Sequence, residues 1–253
     1  MPYLNKIVTE ICVDNFDKAL QSQESGASRI ELCASLIEGG ITPALSLTKL
    51  VCEKLKIPVN VMIRPRAGDF LYNNTEFELM QTDIMDAKNA GAAGVVFGIL
   101  NADGSIDIDR CRYLINIARP MQVTFHRAFD MTVDPFLALE EIISIGADIL
   151  LTSGQRQVAE DGLELIRELV KRSNNRIQVM AGGGVNAVNV LLLHEAGVRS
   201  FHFTSRKNIM GGMKYQNEAL QSMGTTKASN EYHVFVFDQA KINSIFSALK
   251  LRH

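Results

Sequence analysis

The sequence predicts an α/β protein that folds as a single (β/α)8 barrel, with one closed sheet of eight parallel strands surrounded by helices. Strand and helix patterns alternate throughout the chain, which is the order that places helices over a parallel sheet. Eight apolar, β-branched stretches recur at intervals of about 20 to 35 residues, the length of one βα unit. Since eight such units close a barrel, one domain is expected to span residues 1–253. The strands are predicted to begin near Ile7, Arg29, Val59, Gly94, Gln122, Asp148, Ile177 and Ser200.

An internal repeat of two strands and two helices supports the barrel. Alternate strands of a barrel supply alternate side-chain layers, so a two-strand period is expected. The third, fifth and seventh strands are entered by similar residues, Ile57-Pro-Val-Asn-Val, Arg119-Pro-Met-Gln-Val and Asn175-Arg-Ile-Gln-Val. Each even-numbered strand follows a glycine that ends the preceding helix in the left-handed conformation. These glycines are Gly26, Gly91, Gly146 and Gly197.

The end of the chain departs from this repeat. The stretch from Arg206 to Tyr232 contains two adjacent glycines and three methionines but no clear hydrophobic period. An extended loop is therefore predicted after strand eight, either over the barrel mouth or against a second subunit. Asp238 is the expected N-cap of a C-terminal helix whose apolar residues lie at helical spacing. They are Ile242, Ile245, Phe246 and Leu249.

Composition and charge exclude several kinds of protein. The 26 basic residues against 28 acidic ones give a formal charge of −2, which leaves no long-range field to attract nucleic acid or an anionic membrane. The N-terminal sequence lacks the features of an export signal, and no apolar run is long enough to span a bilayer. The four cysteines show neither CxxC nor disulfide-scaffold spacing, so free thiols in the cytoplasm are expected.

The third predicted strand ends in a cluster of charges. Residues Pro58 to Phe70 read PVNVMIRPRAGDF, and the two-residue period of a strand places Arg64 at the end of one face. Arg66 and Asp69 follow in a turn. Because burying such charges is costly, they imply either an anionic ligand or an Arg to Asp ion pair that closes the loop.

The repeat also predicts which side chains face the barrel interior. Equivalent positions near the strand ends hold Glu10, Arg64, His126 and Gly182 on odd strands, and Glu31, Val96, Leu151 and His202 on even strands. Five of these eight are ionisable or imidazole side chains, although a barrel interior is normally filled by branched apolar residues. The predicted catalytic residues are therefore Glu10, Glu31, Arg64, His126 and His202.

Two chemistries fit these five side chains. A histidine beside glutamates can act as a general acid or base while an arginine stabilises developing negative charge. Two histidines and two glutamates can also hold a divalent cation. For His126 or His202 taken singly, the alternative is a hydrogen-bonded core histidine.

Further residues are predicted to bind an anionic ligand at the same end of the barrel. Three glycines at the end of the seventh strand let the backbone approach a ligand, and the helix that follows adds its positive end. Barrels often bind phosphate with the loops after strands seven and eight, although tight turns also use glycines without any ligand. The predicted ligand-binding residues are Arg66, Asp69, Arg127, Asp130, Ser153, Gly182, Gly183, Gly184 and Ser205.

Cys12 and Cys33 form a second candidate centre. Each lies two residues beyond an inward glutamate on neighbouring strands, so the two sulfurs are predicted to lie close enough to share a soft ion such as Cu(I). Methionines from the loop after strand eight could add thioether ligands. The alternative is that both cysteines are small buried hydrophobic residues. Cys52 and Cys111 lie on helix patterns and are expected to be remote from this pair.

These residues resemble those of the CutC family of copper homeostasis proteins, which are single TIM-type barrels. The resemblance implies a cytoplasmic copper-binding protein, with Cys12 and Cys33 as the matching thiols. The similar stretches cover essentially the whole chain. They are Glu10-Ile-Cys12-Val, Arg29-Ile-Glu-Leu-Cys33, Glu38-Gly-Gly-Ile-Thr-Pro43, Ile63-Arg-Pro-Arg-Ala-Gly-Asp-Phe70, Phe125-His-Arg-Ala-Phe-Asp130, Leu151-Thr-Ser-Gly154 and Met180-Ala-Gly-Gly-Gly-Val185.

The residues leave other interpretations open. One rival is an isomerase or lyase for a small phosphorylated or carboxylated metabolite, in which His126 and Glu31 exchange protons while Arg64 and Arg66 hold the charge. Another is a barrel that serves mainly as a partner surface, which predicts that Arg64→Ala and His126→Ala leave function untouched. Apolar patches on the helices and the long loop after strand eight are compatible with a homodimer.

Overall fold

A computed structural model of the chain describes residues 6–220, 222–223 and 230–250. Eight parallel strands form a closed barrel, in which each strand pairs with the next and the last returns to the first. The strands are β1 Val8–Val13, β2 Arg29–Leu32, β3 Val59–Met62, β4 Gly94–Phe97, β5 Gln122–Phe125, β6 Ile149–Thr152, β7 Gln178–Gly182 and β8 Ser200–Thr204. The predicted architecture is confirmed, and every predicted strand start lies within one residue of the observed one.

Helices cover the outside of the barrel. They are α1 Phe16–Glu24, α2 Leu45–Lys54, α3 Asn74–Asn89, α4 Ile108–Ala118, α5 Pro135–Ser144, α6 Leu163–Ser173, α7 Asn189–Glu195 and α8 Gln239–Lys250, with 3₁₀ turns at Leu36–Glu38 and Arg127–Met131. Strand side chains such as Ile11, Ile30 and Phe201 are fully buried in the main apolar core. Each such side chain contributes roughly 1.5–3 kcal/mol to folding. None of the helices in the described part of the chain has the length and apolar composition needed to cross a membrane.

The helix ends follow the sequence signals. The four glycines before the even strands all have left-handed backbone, with φ of 89° at Gly26, 85° at Gly91, 86° at Gly146 and 98° at Gly197. Helix α8 begins after Asp238, whose side chain accepts a hydrogen bond from a backbone N–H in the first turn at 3.1 Å. These signals set the lengths of the connections, and with them the register of the strands.

The strand register brings charged residues together inside the barrel. Glu10 on β1 pairs with Arg29 on one side and with His202 on the other. Cys12, one inward position further along β1, pairs with Glu31. Because successive inward positions are two residues apart, the acidic, basic and thiol side chains of β1, β2 and β8 occupy two successive polar layers.

The segment after β8 differs from the prediction. Two antiparallel strands, β9 Lys207–Met210 and β10 His233–Val236, form a hairpin separate from the barrel sheet, where a loop without regular structure was predicted. Seven of the eight strand residues are exposed, so the alternation of apolar and polar residues that indicates a half-buried strand is absent. Its base is held by Ser205, whose hydroxyl accepts from the Asp238 backbone N–H at 2.8 Å.

Candidate ligand and metal site at the barrel mouth

The C-terminal ends of the strands enclose a cavity of about 230 Å³. Four of the five predicted catalytic residues line it, namely Glu31, Arg64, His126 and His202. They lie on or directly after β2, β3, β5 and β8, so the period of the internal repeat does bring them together. Glu10 does not line the cavity, but its Oε1 lies 4.0 Å from Nε2 of His202.

Glu10 is fully buried, and its charge is balanced by Arg29. The Nε of Arg29 donates to Oε2 of Glu10, which also accepts from Asn60 Nδ2 at 2.8 Å. The far side of the guanidinium contacts Sδ of Met180 at 3.3 Å and Oγ of Ser200 at 3.5 Å. A buried carboxylate without a cation would cost several kcal/mol. Glu10 is therefore one half of an ion pair within the barrel, next to the cavity.

Glu31 and His202 form a second buried ion pair. Nε2 of His202 lies 2.8 Å from Oε2 of Glu31. Burial opposes ionisation of Glu31, but the charge of His202 and their hydrogen bond lower the pKa of Glu31 to about 2. Burial also opposes the charge on His202, yet Glu31 raises the pKa of His202 well above its usual range. Both groups are thus charged at neutral pH, which makes Glu31 a weak base.

Cys12 and Cys33 bring their sulfurs within 3.5 Å of each other. The Sγ of Cys33 is also 3.5 Å from Oε2 of Glu31. The hydrogen bond with Cys33 and burial raise the pKa of Cys12 well above its usual range, and burial raises the pKa of Cys33 to about 12. Both thiols are therefore protonated at neutral pH and become ligands only when an ion displaces their protons.

Within the described part of the chain, two groups of three residues have donor atoms close enough to hold a metal ion. One is Cys12, Glu31 and Cys33, and the other is Glu10, Glu31 and His202, with the donor atoms of each group all within 4.8 Å of one another. Both carboxylates of the second group are already paired with cationic side chains, so a divalent cation would have to displace those pairs. The sulfur-containing group suits a soft ion instead.

A methionine from the barrel itself supplies a thioether beside the thiols. Met62, the last residue of β3, packs in one buried cluster with Cys12, Cys33 and Val96 and lines the cavity. The methionines of the segment after β8, predicted for this role, are exposed and do not line the cavity. They are Met210, Met213 and Met223.

Arg64 is a buried cation with no carboxylate within 4 Å among the described residues. Its Nη1 donates to the carbonyl oxygens of Glu38 at 2.9 Å and Gly40 at 3.0 Å, and its Nη2 donates to that of Gly68 at 2.9 Å. Its Nε has no hydrogen-bond partner. Backbone carbonyls therefore hold the guanidinium at the cavity without neutralising its charge.

His126 presents a neutral imidazole to the same cavity. Its Nδ1 accepts a hydrogen bond from the Ala128 backbone N–H at 3.3 Å, so Nε2 carries the proton in the neutral ring. That buried Nε2 has no partner. Burial and then the charge of Arg64 lower the pKa of His126 to about 3. The ring of Phe70 contacts both side chains, at 4.9 Å from the imidazole and 5.0 Å from the guanidinium carbon of Arg64.

Arg66 and Asp69 lie outside the cavity lining. Their side chains pair with each other at 2.9 Å, and Nε of Arg66 donates to Oε1 of Glu76 at 2.5 Å. Arg66 also donates to the carbonyl oxygen of Leu71 at 2.8 Å. The loop-closing alternative describes these two residues, because their polar groups are already used within the chain. A ligand-binding role for Arg66 and Asp69 has no support in this geometry.

Asp130 organises the loops after β5 and β6. Its carboxylate accepts from Arg127 Nε at 2.7 Å, Thr152 Oγ1 at 2.5 Å, Ser153 Oγ at 2.8 Å and the Gln155 backbone N–H at 3.1 Å. Of Arg127, Asp130 and Ser153, which were predicted to bind ligand, only Arg127 lines the cavity. The carboxylate of Asp130 and the hydroxyl of Ser153 instead form hydrogen bonds that position the Arg127 side chain.

The glycines after β7 divide in the same way. Gly183 and Gly184 line the cavity and have left-handed backbone, whereas Gly182 does not line it. A Cβ at Gly183 would lie 3.2 Å from both Arg127 Nη1 and Ser153 Cβ. The glycine is therefore required for the close approach of the loop after β6, whether or not a ligand binds.

The predicted contribution of a positive helix end is not observed. Helix α7 begins at Asn189, well beyond the glycines, and has only 7 residues. The Oδ1 of Asn186 accepts from the backbone N–H groups of Val188 and Asn189, at 2.8 and 3.2 Å. These N–H groups are thus satisfied by the chain itself. Ser205, the remaining residue predicted to bind ligand, bonds to Asp238 and does not line the cavity.

Lys241 is a cavity residue that the sequence reasoning missed. It lies on α8, lines the cavity and donates from Nζ to the Thr204 carbonyl oxygen at 2.7 Å. Burial lowers the pKa of Lys241. The sequence places Lys241 in the first turn of the helix that follows the Asp238 cap. Helical spacing alone does not show that this turn lies against the barrel mouth.

The fold and these side chains define a (β/α)8-barrel protein with a polar cavity at the C-terminal ends of its strands. Comparisons with known proteins identify the family to which it belongs. The chain belongs to the CutC family, whose model matches residues 7–207.

Relatives and solved structures agree with this placement. The copper homeostasis protein cutC homologs of Mus musculus and Homo sapiens are each 43% identical over 247 residues, covering 97% of this chain and 90% of those proteins. The structure of CutC from Streptococcus agalactiae is 32% identical with a TM-score of 0.74, covering 78% of this chain and 98% of that one. A solved aldolase, 17% identical with a TM-score of 0.60, shares the fold alone.

Proposed function

We propose that this chain is a cytoplasmic protein that binds Cu(I) through Cys12 and Cys33. The observation that carries the proposal is the 3.5 Å separation of the two buried sulfurs, of which Cys12 lines the cavity. Thiolate and thioether sulfurs select Cu(I) over harder ions, and Met62 offers a thioether in the same cluster. The relatives named as copper homeostasis proteins support the same metal.

The rival isomerase or lyase function is less well supported. It depends on proton exchange between His126 and Glu31. Because His202 keeps Glu31 ionised with a pKa of about 2, and the pKa of His126 is about 3, neither group is matched to proton transfer near neutral pH. The side chains favour binding over proton transfer.

Anaerobic titration of the reduced protein with Cu(I) against a competing chelator tests the proposal. We expect one tight equivalent in the wild type and none in the Cys12→Ser, Cys33→Ser double variant. Cys52→Ser is the matched control, because Cys52 is a partly exposed thiol on α2, remote from the pair. Weak binding in the wild type, or equal binding in the double variant, would exclude these thiols as the copper site.

Location and assembly stay predictions with tests of their own. Cell fractionation is expected to place the chain in the cytoplasm. Sedimentation at several concentrations distinguishes a homodimer from a monomer. Neither outcome alters the copper titration, which is measured per chain.

A further inference from the structure

We propose that the cavity also binds the phosphate group of a small phosphate monoester, at a subsite formed by Arg64, His126, Arg127 and Lys241. This site is separate from the proposed copper function. All four side chains line the cavity, and none of them is a thiol or a carboxylate. They come from the ends of β3 and β5 and from α8, so the fold collects them from three places.

The first argument is the charge of the cavity lining. Arg64, Arg127 and Lys241 are cationic, and the lining contains one carboxylate, Glu31. That carboxylate lies 2.8 Å from His202 and is already balanced. Asp130, outside the lining, balances Arg127 at 2.7 Å. Arg64 and Lys241 have no acidic partner within 4 Å among the described residues, so the cavity carries a positive excess that favours an anion.

The second argument is the set of buried donors without partners. The Nε of Arg64 and the Nε2 of His126 are both buried and make no hydrogen bond, in residues that are 6% and 4% exposed. Leaving a buried donor unsatisfied costs free energy, and each such group calls for an explanation. Oxygen atoms of an anionic group in the cavity would accept from each of these donors, because His126 is neutral and protonated on Nε2.

The third argument selects phosphate over carboxylate. Arginine binds carboxylates best by donating two parallel hydrogen bonds. The carbonyl oxygens of Glu38, Gly40 and Gly68 already accept from three of the five N–H groups of Arg64, and the other donors of the subsite come from separate elements. Donors that converge from several directions suit a tetrahedral group with three free oxygens. Gly183 and Gly184 line the same cavity and add no side chain that would occupy it.

The size of the cavity limits the ligand. Its volume of about 230 Å³ accommodates a phosphate group with a short carbon chain. The organic part would lie toward the apolar side of the lining, which includes Leu36, Phe70 and Leu151.

Isothermal titration of the copper-free protein with glycerol 3-phosphate tests this subsite. Glycerol and glycerate are the comparison ligands, since they lack the phosphate or replace it with a carboxylate. We expect saturable binding of glycerol 3-phosphate, competition by inorganic phosphate, and at least about tenfold weaker binding of glycerate. Absence of binding at 10 mM glycerol 3-phosphate, taken as roughly the weak limit of useful affinity, or tighter binding of glycerate, would overturn the assignment.

Variants locate the binding. Arg64→Gln and Lys241→Gln are each expected to weaken glycerol 3-phosphate by about tenfold or more, since each removes a charged donor. Lys241 lies on an outer helix, so its variant remains informative if the buried Arg64 variant does not fold. Arg66→Gln, two residues from Arg64 but outside the cavity, is the matched control and should bind as the wild type does. Equal affinity in wild type, Lys241→Gln and Arg66→Gln would refute the subsite.

The test is independent of copper. The Cys12→Ser, Cys33→Ser variant is expected to keep wild-type affinity for glycerol 3-phosphate, because the thiols take no part in the subsite. Loss of copper binding with retained phosphate binding would therefore leave this inference standing. Loss of phosphate binding in that variant would contradict it.

Discussion

The protonated thiols of Cys12 and Cys33 make Cu(I) binding depend on pH. Their pKa values are raised, that of Cys33 to about 12, so a Cu(I) ion that binds both as thiolates releases two protons near neutrality. We expect the apparent affinity to rise by about a hundredfold per pH unit between roughly pH 6 and 8. Chelator competition at several pH values, corrected for the chelator's own protonation, measures this slope.

A single-thiol variant provides the control for that slope. In Cys12→Ser only one proton is displaced, and the dependence should fall to about tenfold per pH unit. An affinity that does not change with pH in the wild type would mean that the thiols are already ionised. It would contradict the effect of burial on which the expectation depends.

His126 makes the stability of the protein depend on pH in the acid range. Its pKa is lowered from 6.5 to about 3 in the folded protein by burial and by Arg64. The unfolded chain therefore binds the proton first, and the stability present above pH 6.5 is lost as the pH falls toward 3. The slope approaches about 1.4 kcal/mol per pH unit. Urea unfolding of the wild type and His126→Gln between pH 4 and 7 should show a shallower slope in the variant, and parallel curves would contradict this account.

At the scale of single residues, the sequence predicted which side chains face the barrel interior better than it predicted what those side chains do there. The two-residue period correctly placed Glu31, Arg64, His126 and His202 at one cavity. It could not show that Glu10 forms an ion pair with Arg29, because the partner of a buried charge depends on the register between strands. The period of a strand predicts the face on which a side chain lies but not the residues that it contacts.

At the scale of elements, Asp130 joins the 3₁₀ turn after β5 to the loop after β6. Its side chain is 8% exposed and accepts hydrogen bonds from residues 127, 152, 153 and 155. We expect Asp130→Ala to lower the free energy of unfolding by about 2–4 kcal/mol, because several donors lose their acceptor together. Denaturant unfolding measures this loss.

A second aspartate provides the comparison for Asp130. Asp109 forms an ion pair with Arg112 at 3.6 Å, but its side chain is 98% exposed. Asp109→Ala is therefore expected to leave the denaturation midpoint unchanged. If both alanine variants unfold at the wild-type midpoint, the Asp130 contacts do not hold the two loops together.

Elements with a buried face were predictable, and those without one were not. The β-strands of the barrel have their sheet faces covered, so continuous apolar runs marked each start within one residue. The strands β9 and β10 bury almost nothing, so no hydrophobic period marked them. The positive helix end expected after the glycines was not found, because Asn186 accepts from backbone N–H groups at the start of α7. The glycine-rich sequence does not indicate these local hydrogen bonds.

At the scale of the whole molecule, the barrel has an apolar layer outside its sheet and a charged layer inside it. Helices and strands together form the main core, whereas the interior holds two ion pairs, Arg29 with Glu10 and His202 with Glu31. Desolvating these charges offsets much of their attraction. The molecule therefore depends on its outer layer for stability, and its interior is free to carry polar chemistry at the mouth.

Substitutions in the Glu10 to Arg29 pair test whether the charges inside the barrel add to its stability. Removing one partner leaves the other buried and unpaired, so Glu10→Met and Arg29→Met are each expected to cost about 3–5 kcal/mol of unfolding free energy. The double variant replaces both charges by apolar side chains of similar length. We expect it to be more stable than either single variant, with a coupling of about 2 kcal/mol or more in a double-mutant cycle.

The exposed pair of Arg176 with Glu140, at 2.6 Å, should show a much smaller coupling, because solvent screens it. Additive losses at Glu10 and Arg29 would instead mean that each residue stabilises the barrel through contacts of its own, such as that of Glu10 with Asn60. The charged residues inside the barrel would then contribute to the stability of the fold.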